Sequence, residues 1–345
     1  MNSNFLLFEK IKKEILSSPK EKLLCISTTS NLNNPPVFIG SIRETEAPIA
    51  GNIIIRDISV ADEIITCFDG AIDYFLIDCE IKNEVKNLES IFLEKIKKSK
   101  IFIYKPNDFT VESLDILLSV IYKSLRNRKV LVIGAGNIGS KIALKICERG
   151  AEVFIYDKNF KKSSTIALGL NLIKRSDKII KAVEQVGEVI NDTDLLLGCT
   201  PGIPAINKQM MENLNKEVKI IDIGNGTIDT EAIIFAQGKN MEILSLSSLG
   251  GYIGMINNWL FQRKMFNKKR NRIIGPNDLI TIGVFGKRGD IIVDDVDNPK
   301  KLIGVCDGKG DILSKTESYI ILKNFFTQAN DKKIAFQIEM LYAKI

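Results

Sequence analysis

A short apolar run, Lys129–Ile133, opens directly into Gly134-Ala-Gly136-Asn137-Ile138-Gly139-Ser140, and an amphipathic helix pattern follows. No other segment restricts the fold as much. In G-x-G-x-x-G after a strand, Gly134 permits the tight strand-to-helix turn. Gly136 lets backbone amides approach a pyrophosphate, and Gly139 lets the helix pack close to the strand. The free N–H groups at the helix start, around Asn137 and Ile138, then face an anion.

The context supports the motif. Ile138, Ile142, Ala143 and Ile146 share one side of a helix, and Gly150 sits where a helix ends. A second strand, Glu152–Tyr156, ends in Asp157. An acidic residue about 20 positions past the first glycine is the expected ligand of the adenosine ribose hydroxyls. A carboxylate there repels a 2′-phosphate, so NAD is expected over NADP, although Lys158, Lys161 and Lys162 follow closely.

The chain of 345 residues is long enough for two or three domains. No apolar run reaches the ~18 residues of a membrane span, and the N-terminus does not read as a secretory signal. The cytoplasm is therefore the expected location, with no membrane partner. None of the six cysteines forms a C-x-x-C pair, which points to reduced thiols instead of a disulfide framework or zinc site. A net charge of +6 is compatible with an anionic substrate. No basic stripe interleaves with aromatics, so no nucleic-acid partner is expected. The chain contains no histidine. Proton transfer must then fall to Lys, Asp, Glu, Tyr, Cys or water, and a zinc-dependent dehydrogenase is disfavoured.

The pattern along the chain predicts an α/β fold with a doubly wound parallel Rossmann domain in mid-chain, an N-terminal α/β domain and a small C-terminal β-rich domain. The N-terminal (substrate) domain takes residues 1–110, the Rossmann domain with flanking helices 111–272, and the β-rich domain 273–345. Helices are expected at Asn4–Ser17, Leu88–Lys97 and Phe109–Leu125, the last with Asp108 as N-cap. Strands are expected at Leu23–Ser27, Val37–Ile42, Asn52–Arg56, Tyr74–Asp78 and Ile101–Tyr104. Beyond Asp157 the reading is a helix at Ser163–Gly169, a strand at Asn171–Ile173 and a helix at Asp177–Val186. Strands at Asp194–Cys199, Val218–Ile223 and Glu242–Leu246 then alternate with helices at Lys208–Leu214 and Thr230–Gln237. Gly250-Gly251 breaks the pattern before a helix at Tyr252–Phe266 and the basic stretch Lys268–Arg272. Tyr319–Leu322 and Ile334–Ile338 are among the short apolar runs assigned to the β-rich domain.

Ligands of doubly wound sheets sit outside the carboxyl ends of the strands. The cofactor-binding candidates are therefore Gly134, Gly136, Asn137, Ile138, Gly139, Asp157, Thr200, Pro201, Gly224 and Asn225. The catalytic acid or base should come from the N-terminal domain. Lys105, at the end of a strand, can polarise a carbonyl or act as a base, or be an exposed loop lysine. Asp78 and Glu80 can pair with it, or mark a strand-end turn. Arg43 and Arg56 can clamp an anion, or be solvated.

Asp194–Cys199 with Thr200-Pro201-Gly202, and then Lys219-Ile-Ile-Asp-Ile-Gly-Asn-Gly-Thr-Ile-Asp229, resemble the NAD-binding domain of S-adenosylhomocysteine hydrolase. Alanine dehydrogenases and 2-hydroxyacid dehydrogenases share the architecture. The likeness spans Lys129–Leu246 and implies NAD binding. It does not extend to the hydrolase chemistry, because Asn225 occupies the family's histidine position and its lysine-tyrosine tail is missing. The expected activity is that of an NAD(P)-dependent oxidoreductase moving hydride to or from a small polar metabolite, in a homo-oligomer such as a homodimer. An NAD-containing hydrolase or lyase, and a non-catalytic NAD-responsive binding protein, are the alternatives.

Overall fold

The computed structural model describes residues 3–82, 88–267 and 271–343. The chain divides into two compact units, Met1–Met255 and Ile256–Ile345. In chain order the first unit begins with α1 (Ser3–Leu16), β1 (Glu21–Thr28), β2 (Val37–Ile39), β3 (Arg43–Glu44), β4 (Pro48–Ile55), α2 (Ala61–Phe68), β5 (Tyr74–Asp78), α3 (Leu88–Lys95), β6 (Lys100–Tyr104) and α4 (Pro106–Ile121). It continues with β7 (Lys129–Ile133), α5 (Asn137–Glu148), β8 (Glu152–Tyr156), α6 (Phe160–Ile173), β9 (Ile180–Ala182), β10 (Leu195–Gly198), α7 (Lys208–Glu212), β11 (Lys219–Asp222), α8 (Thr230–Gly238), β12 (Ile243–Ser245) and the start of α9 (Leu249–Asn267).

The strands β7 to β12 make one sheet in the order β12-β11-β10-β7-β8-β9, with every neighbouring pair parallel. This is the doubly wound order, and it reverses between β7 and β10. Both faces are covered. Val130 and Val132 point into a core with Leu114, Leu118, Ile142 and Ile146, whereas Leu131 and Ile133 point into another with Ile206, Ala232 and Ala236. Period-two alternation of an all-apolar strand produces this two-sided burial.

The N-terminal sheet runs β2-β4-β1-β5-β6, with β3 also on β4. The four longer strands are parallel, and β2 and β3 are antiparallel to β4. Alternation matters here too. Leu24 and Ile26 on β1 pack with Phe8, Ile15, Phe68 and Phe92 of the helices. Their neighbours Cys25 and Ser27 point to the opposite face, which the first residues of α4 and α9 approach. Phe109 packs at a tilt against Tyr104 and edge-on against Tyr252, with ring centroids 5.2 and 5.5 Å away.

Two parallel stripes of charge join α4 to α5. Asp108 meets Lys141 at 2.6 Å, Glu112 meets Lys145 at 2.9 Å, and Asp115 meets Arg149 at 2.6 Å. The three- and four-residue spacing puts each stripe on one helix face.

Several expectations are corrected. Asp108 is not the N-cap of α4; that position is Lys105, with Pro106 starting the helix and Asp108 in its first turn. Asn171–Ile173 is the last turn of α6 and no strand. The third strand is Ile180–Ala182, inside the stretch expected to be helical. Asn171 explains the order: its amide donates to the carbonyls of Ala167 and Ile180 and accepts from the Ile180 N–H, tying the helix end to an edge strand. Gly250 and Gly251 do not break α9 but lie in its first turn. There the Gly251 N–H donates to Ser113 Oγ at 2.7 Å, and a Cβ would run into the carbonyl of Phe109. The second helix, α2, has no counterpart in the sequence reading.

The second unit holds the rest of α9, then β13 (Asn271–Ile273), β14 (Asp278–Thr281), β15 (Ile291–Val293), β16 (Leu302–Val305), α10 (Lys315–Gln328) and α11 (Lys332–Tyr342). The four strands form their own mixed sheet. Tyr319–Leu322 and Ile334–Ile338 are helical, not extended. Ser314 caps α10 in a reciprocal pair with Glu317, and Asp331 caps α11. Leu322, Phe325, Ala329, Ile334 and Ile338 bury at helical spacing against the sheet. Of Lys268–Arg272, residues 268–270 lie outside the described residues, and Asn271 and Arg272 begin β13. Among the described residues no helix is long and apolar enough to cross a membrane.

Candidate active site

The carboxyl ends of the parallel strands of both sheets meet at one cleft of about 360 Å³. One wall is built mainly by backbone. Gly134 adopts φ +108° and is held from both sides: its N–H donates to the Tyr156 carbonyl at 2.8 Å, and a Cβ would lie 3.1 Å from the Cys199 backbone. At Gly139 a Cβ would run into the Gly134 carbonyl oxygen, so only glycine lets α5 sit this close. Around Gly136 the direction a Cβ would take is empty to 4 Å. Gly136, Asn137 and Ile138 line the cleft there. The first turn of α5 carries no acidic residue, and its leading amides have no intrahelical acceptors.

Asp157 stands behind this loop. Its Oδ2 accepts from the Ala135 N–H at 2.9 Å and from Lys162 Nζ at 3.2 Å, and its Oδ1 accepts from the Asn159 N–H at 3.0 Å. Burial opposes its charge, yet the Asn159 and Ala135 amides and the Lys162 ammonium hold the carboxyl below the usual carboxylate range. Thr200, Pro201, Gly224 and Asn225 complete this wall. Asp222 Oδ2 accepts from the N–H groups of Gly226 and Thr227 and so shapes the loop carrying Asn225, whose φ is +55°. The open space over Gly136, the acceptor-free helix start and the carboxylate at the strand end together fit a dinucleotide.

Side chains from several elements build the opposite wall. Asp78, the last residue of β5, is buried and accepts from the Thr28 N–H and Oγ1, each at 2.9 Å, and from Lys82 Nζ at 2.8 Å. Glu80 Oε2 lies 3.3 Å from the same ammonium. Lys82 is only 9% exposed at its side chain and lines the cleft. Two carboxylates therefore fix a nearly buried cation at the end of the sheet, which is how such a charge is tolerated.

Arg43 lines the cleft from β3. Its guanidinium lies 4.7 Å from the Tyr252 ring centroid and donates to Ser248 Oγ at 3.3 Å. Among the described residues it has no carboxylate at ion-pair distance. Ser27, Thr28, Thr29, Asn31 and Asn52 add hydroxyls and amides to the same wall. Cys25, also in the lining, is held as a thiol. Burial pushes it up to about 11, against the opposing pulls of the Tyr252 hydroxyl and Arg43.

The structure thus brings together on one wall Gly136, Asn137, Ile138, Thr200, Pro201, Gly224 and Asn225, with Gly134, Gly139 and Asp157 shaping it from behind. Of the N-terminal candidates, Asp78 and Glu80 stand behind Lys82 and line a separate hollow with Leu88 and Leu93. Lys105 is 57% exposed at its side chain and pairs with Asp108 at 2.8 Å, which raises it further above its ordinary value. It is absent from the cleft lining, although its neighbours Tyr104 and Pro106 are present. Arg56 donates to the Leu32 carbonyl, away from the cleft. Lys82 is not among the sequence candidates. Its only signal is the Asp78-x-Glu80-x-Lys82 spacing just past a strand end.

With this geometry in view, residues 117–247 match the sequence profile of the family described as shikimate / quinate 5-dehydrogenase. The middle of the chain is a Rossmann-type NAD(P)-binding domain of that kind. The matched family is a dehydrogenase family, where the residues alone resemble the S-adenosylhomocysteine hydrolase domain. Among curated proteins, the glutamyl-tRNA reductase of Methanococcus aeolicus is 27% identical over 155 residues, 42% of this chain and 38% of that protein. The probable indole-3-pyruvate monooxygenase YUCCA4 of Arabidopsis thaliana is 27% identical over 206 residues, 49% of each. The chain thus spans about half, or less, of these relatives. Among solved structures, a shikimate dehydrogenase in complex with NADP+ aligns with a TM-score of 0.43 at 11% identity, covering 70% of this chain and 90% of that one. The shikimate dehydrogenase of Aquifex aeolicus aligns with a TM-score of 0.41 at 14% identity, covering 70% and 93%.

Proposed function

We propose that this protein is an NAD(P)-dependent oxidoreductase acting on a small, polar, anionic metabolite that carries a hydroxyl or carbonyl group. The observation that carries the reading is a single cleft lined on one side by a dinucleotide-binding glycine loop and on the other by the paired cation Lys82. A nicotinamide, when bound, supplies or accepts the hydride. The first-turn amides of α5, with Asn137 and Ile138, hold the pyrophosphate, and Asp157 faces the adenosine ribose.

Lys82 donates a hydrogen bond to the substrate oxygen and handles the proton that leaves or joins it. Asp78, anchored by Thr28, aims that ammonium, and Glu80 shares its charge. Arg43 holds the anionic group of the substrate, because its guanidinium has no carboxylate partner among the described residues and is steadied by the Tyr252 ring. Ser27, Thr29 and Asn52 exchange hydrogen bonds with substrate hydroxyls, and the packed rings of Tyr104, Phe109 and Tyr252 keep water from the floor. Aspartate and lysine here do what a histidine does in many dehydrogenases, which suits a chain without histidine.

The test is to incubate the purified chain with oxidised dinucleotides and a panel of hydroxy acids, and with reduced dinucleotides and the matching oxo acids. A net change in nicotinamide absorbance that Lys82→Met abolishes supports the reading. Product without net dinucleotide turnover would favour the hydrolase or lyase alternative, and dinucleotide binding with no reaction would favour a binding protein.

A further inference from the structure

The end of β8, behind the glycine loop, carries one acid and three lysines between Tyr156 and Ser163, more positive charge than a site for an unphosphorylated ribose requires. Asp157 is 12% exposed at its side chain, and both of its oxygens are committed: to the backbone amides of Ala135 and Asn159, and to Lys162. Lys162 reaches it from the first turn of α6 with its own side chain 46% exposed. Lys158 and Lys161 are close by in the chain, and no acidic residue accompanies Asp157 between Tyr156 and Ser163. The first turn of α6 likewise contains no acid.

A lone carboxylate at this strand end discriminates against a 2′-phosphate by repulsion. Here the carboxylate is held by backbone donors and paired with a half-exposed lysine, with Lys161 in the same turn and Lys158 just before the helix cap. We infer that the site accepts both NAD and NADP, and that Lys162 is the residue that admits the second: it pairs with Asp157 opposite a ribose hydroxyl and turns to the 2′-phosphate when one is present. Lys162 is thus a specificity-determining residue, and the inference rests on the dinucleotide reading of the cleft.

The experiment is direct titration of the whole chain with NADH and with NADPH, by ligand fluorescence or calorimetry, without substrate. Wild type is expected to bind both, with Kd values within about tenfold of each other, and rising salt should weaken NADPH more than NADH. Lys162→Ala should raise the ratio of the NADPH Kd to the NADH Kd by about tenfold, the worth of one charge-assisted hydrogen bond. Lys162→Arg should restore the ratio, and Asp157→Ser should lower it below that of wild type. Wild type binding NADH but not NADPH, or a ratio unmoved by Lys162→Ala, would overturn the inference while leaving the dinucleotide reading intact. Binding of neither dinucleotide would overturn both.

Discussion

The two walls of the cleft are made in different ways. The Rossmann wall is a backbone device, built from glycines, amides and a helix start with few side chains. The N-terminal wall is a side-chain device, with Lys82 from a strand-end loop, Arg43 from a short edge strand and Tyr252 from a helix that enters after the second sheet. The contrast implies that binding and chemistry separate by wall. Substitutions on the first should change dinucleotide affinity, and those on the second should change turnover and substrate affinity.

The largest expected effect is on Lys82. Lys82→Met should lower kcat by about a thousandfold, in the range of a lost acid–base group, with NADH affinity measured by titration held within about threefold, less than the worth of one net hydrogen bond. Loss of both together would break the separation. A smaller effect is expected at Arg43. Arg43→Gln should raise KM for an anionic substrate by about tenfold or more, with kcat little changed, as steady-state kinetics would read. A fall in kcat with unchanged KM would put Arg43 in the reaction instead of in binding.

The smallest effect tests the frame that holds the first wall. Arg149, through its hydrogen bond and charge, holds the Asp115 carboxyl below its usual range. The folded value is depressed, so this pair stabilises above the unfolded carboxylate value near ~3.9 and the contribution fades as pH falls through the folded value. Asp115→Asn should cost about 1 kcal/mol at neutral pH, and urea unfolding curves of the two proteins should converge as the medium is acidified below about pH 4. A gap that stays constant with pH would assign the loss to packing.

The same contrast decides what can be read from the sequence. A wall made of backbone leaves local marks: the Gly134–Gly139 spacing, the apolar β7 run and Asp157 at the end of β8 are all legible because each is required at a fixed offset from the next. Lys82 has no such mark. Asp78 and Glu80 are visible at a strand end, but nothing in their spacing tells that the chain bends Lys82 back onto both carboxylates, or that Lys105 turns outward to Asp108. Arg43 and Arg56 look alike as loop arginines, and only the tertiary fold sends one to the Tyr252 ring and the other to the Leu32 carbonyl. The misread elements follow the same rule. Asn171 resembles strand-forming sequence because its role, clamping Ile180 through its side-chain amide, is a contact nine residues away. The helix α10 is legible in principle from Ser314-x-x-Glu317, a mark outweighed by the Gly- and Asp-rich turns before it.

The central claim is that the open space over Gly136 holds the dinucleotide, and titration of NADH into the wild-type chain and into Gly136→Val tests it most directly. Because nothing lies within 4 Å of the Cβ position, the valine should fill the ligand's space without disturbing the fold. The account predicts saturable binding to wild type and a loss of about a hundredfold or more in the variant at unchanged Tm, equal to two or three charge-assisted hydrogen bonds. Equal affinity in the two proteins, or no binding to wild type, would contradict it.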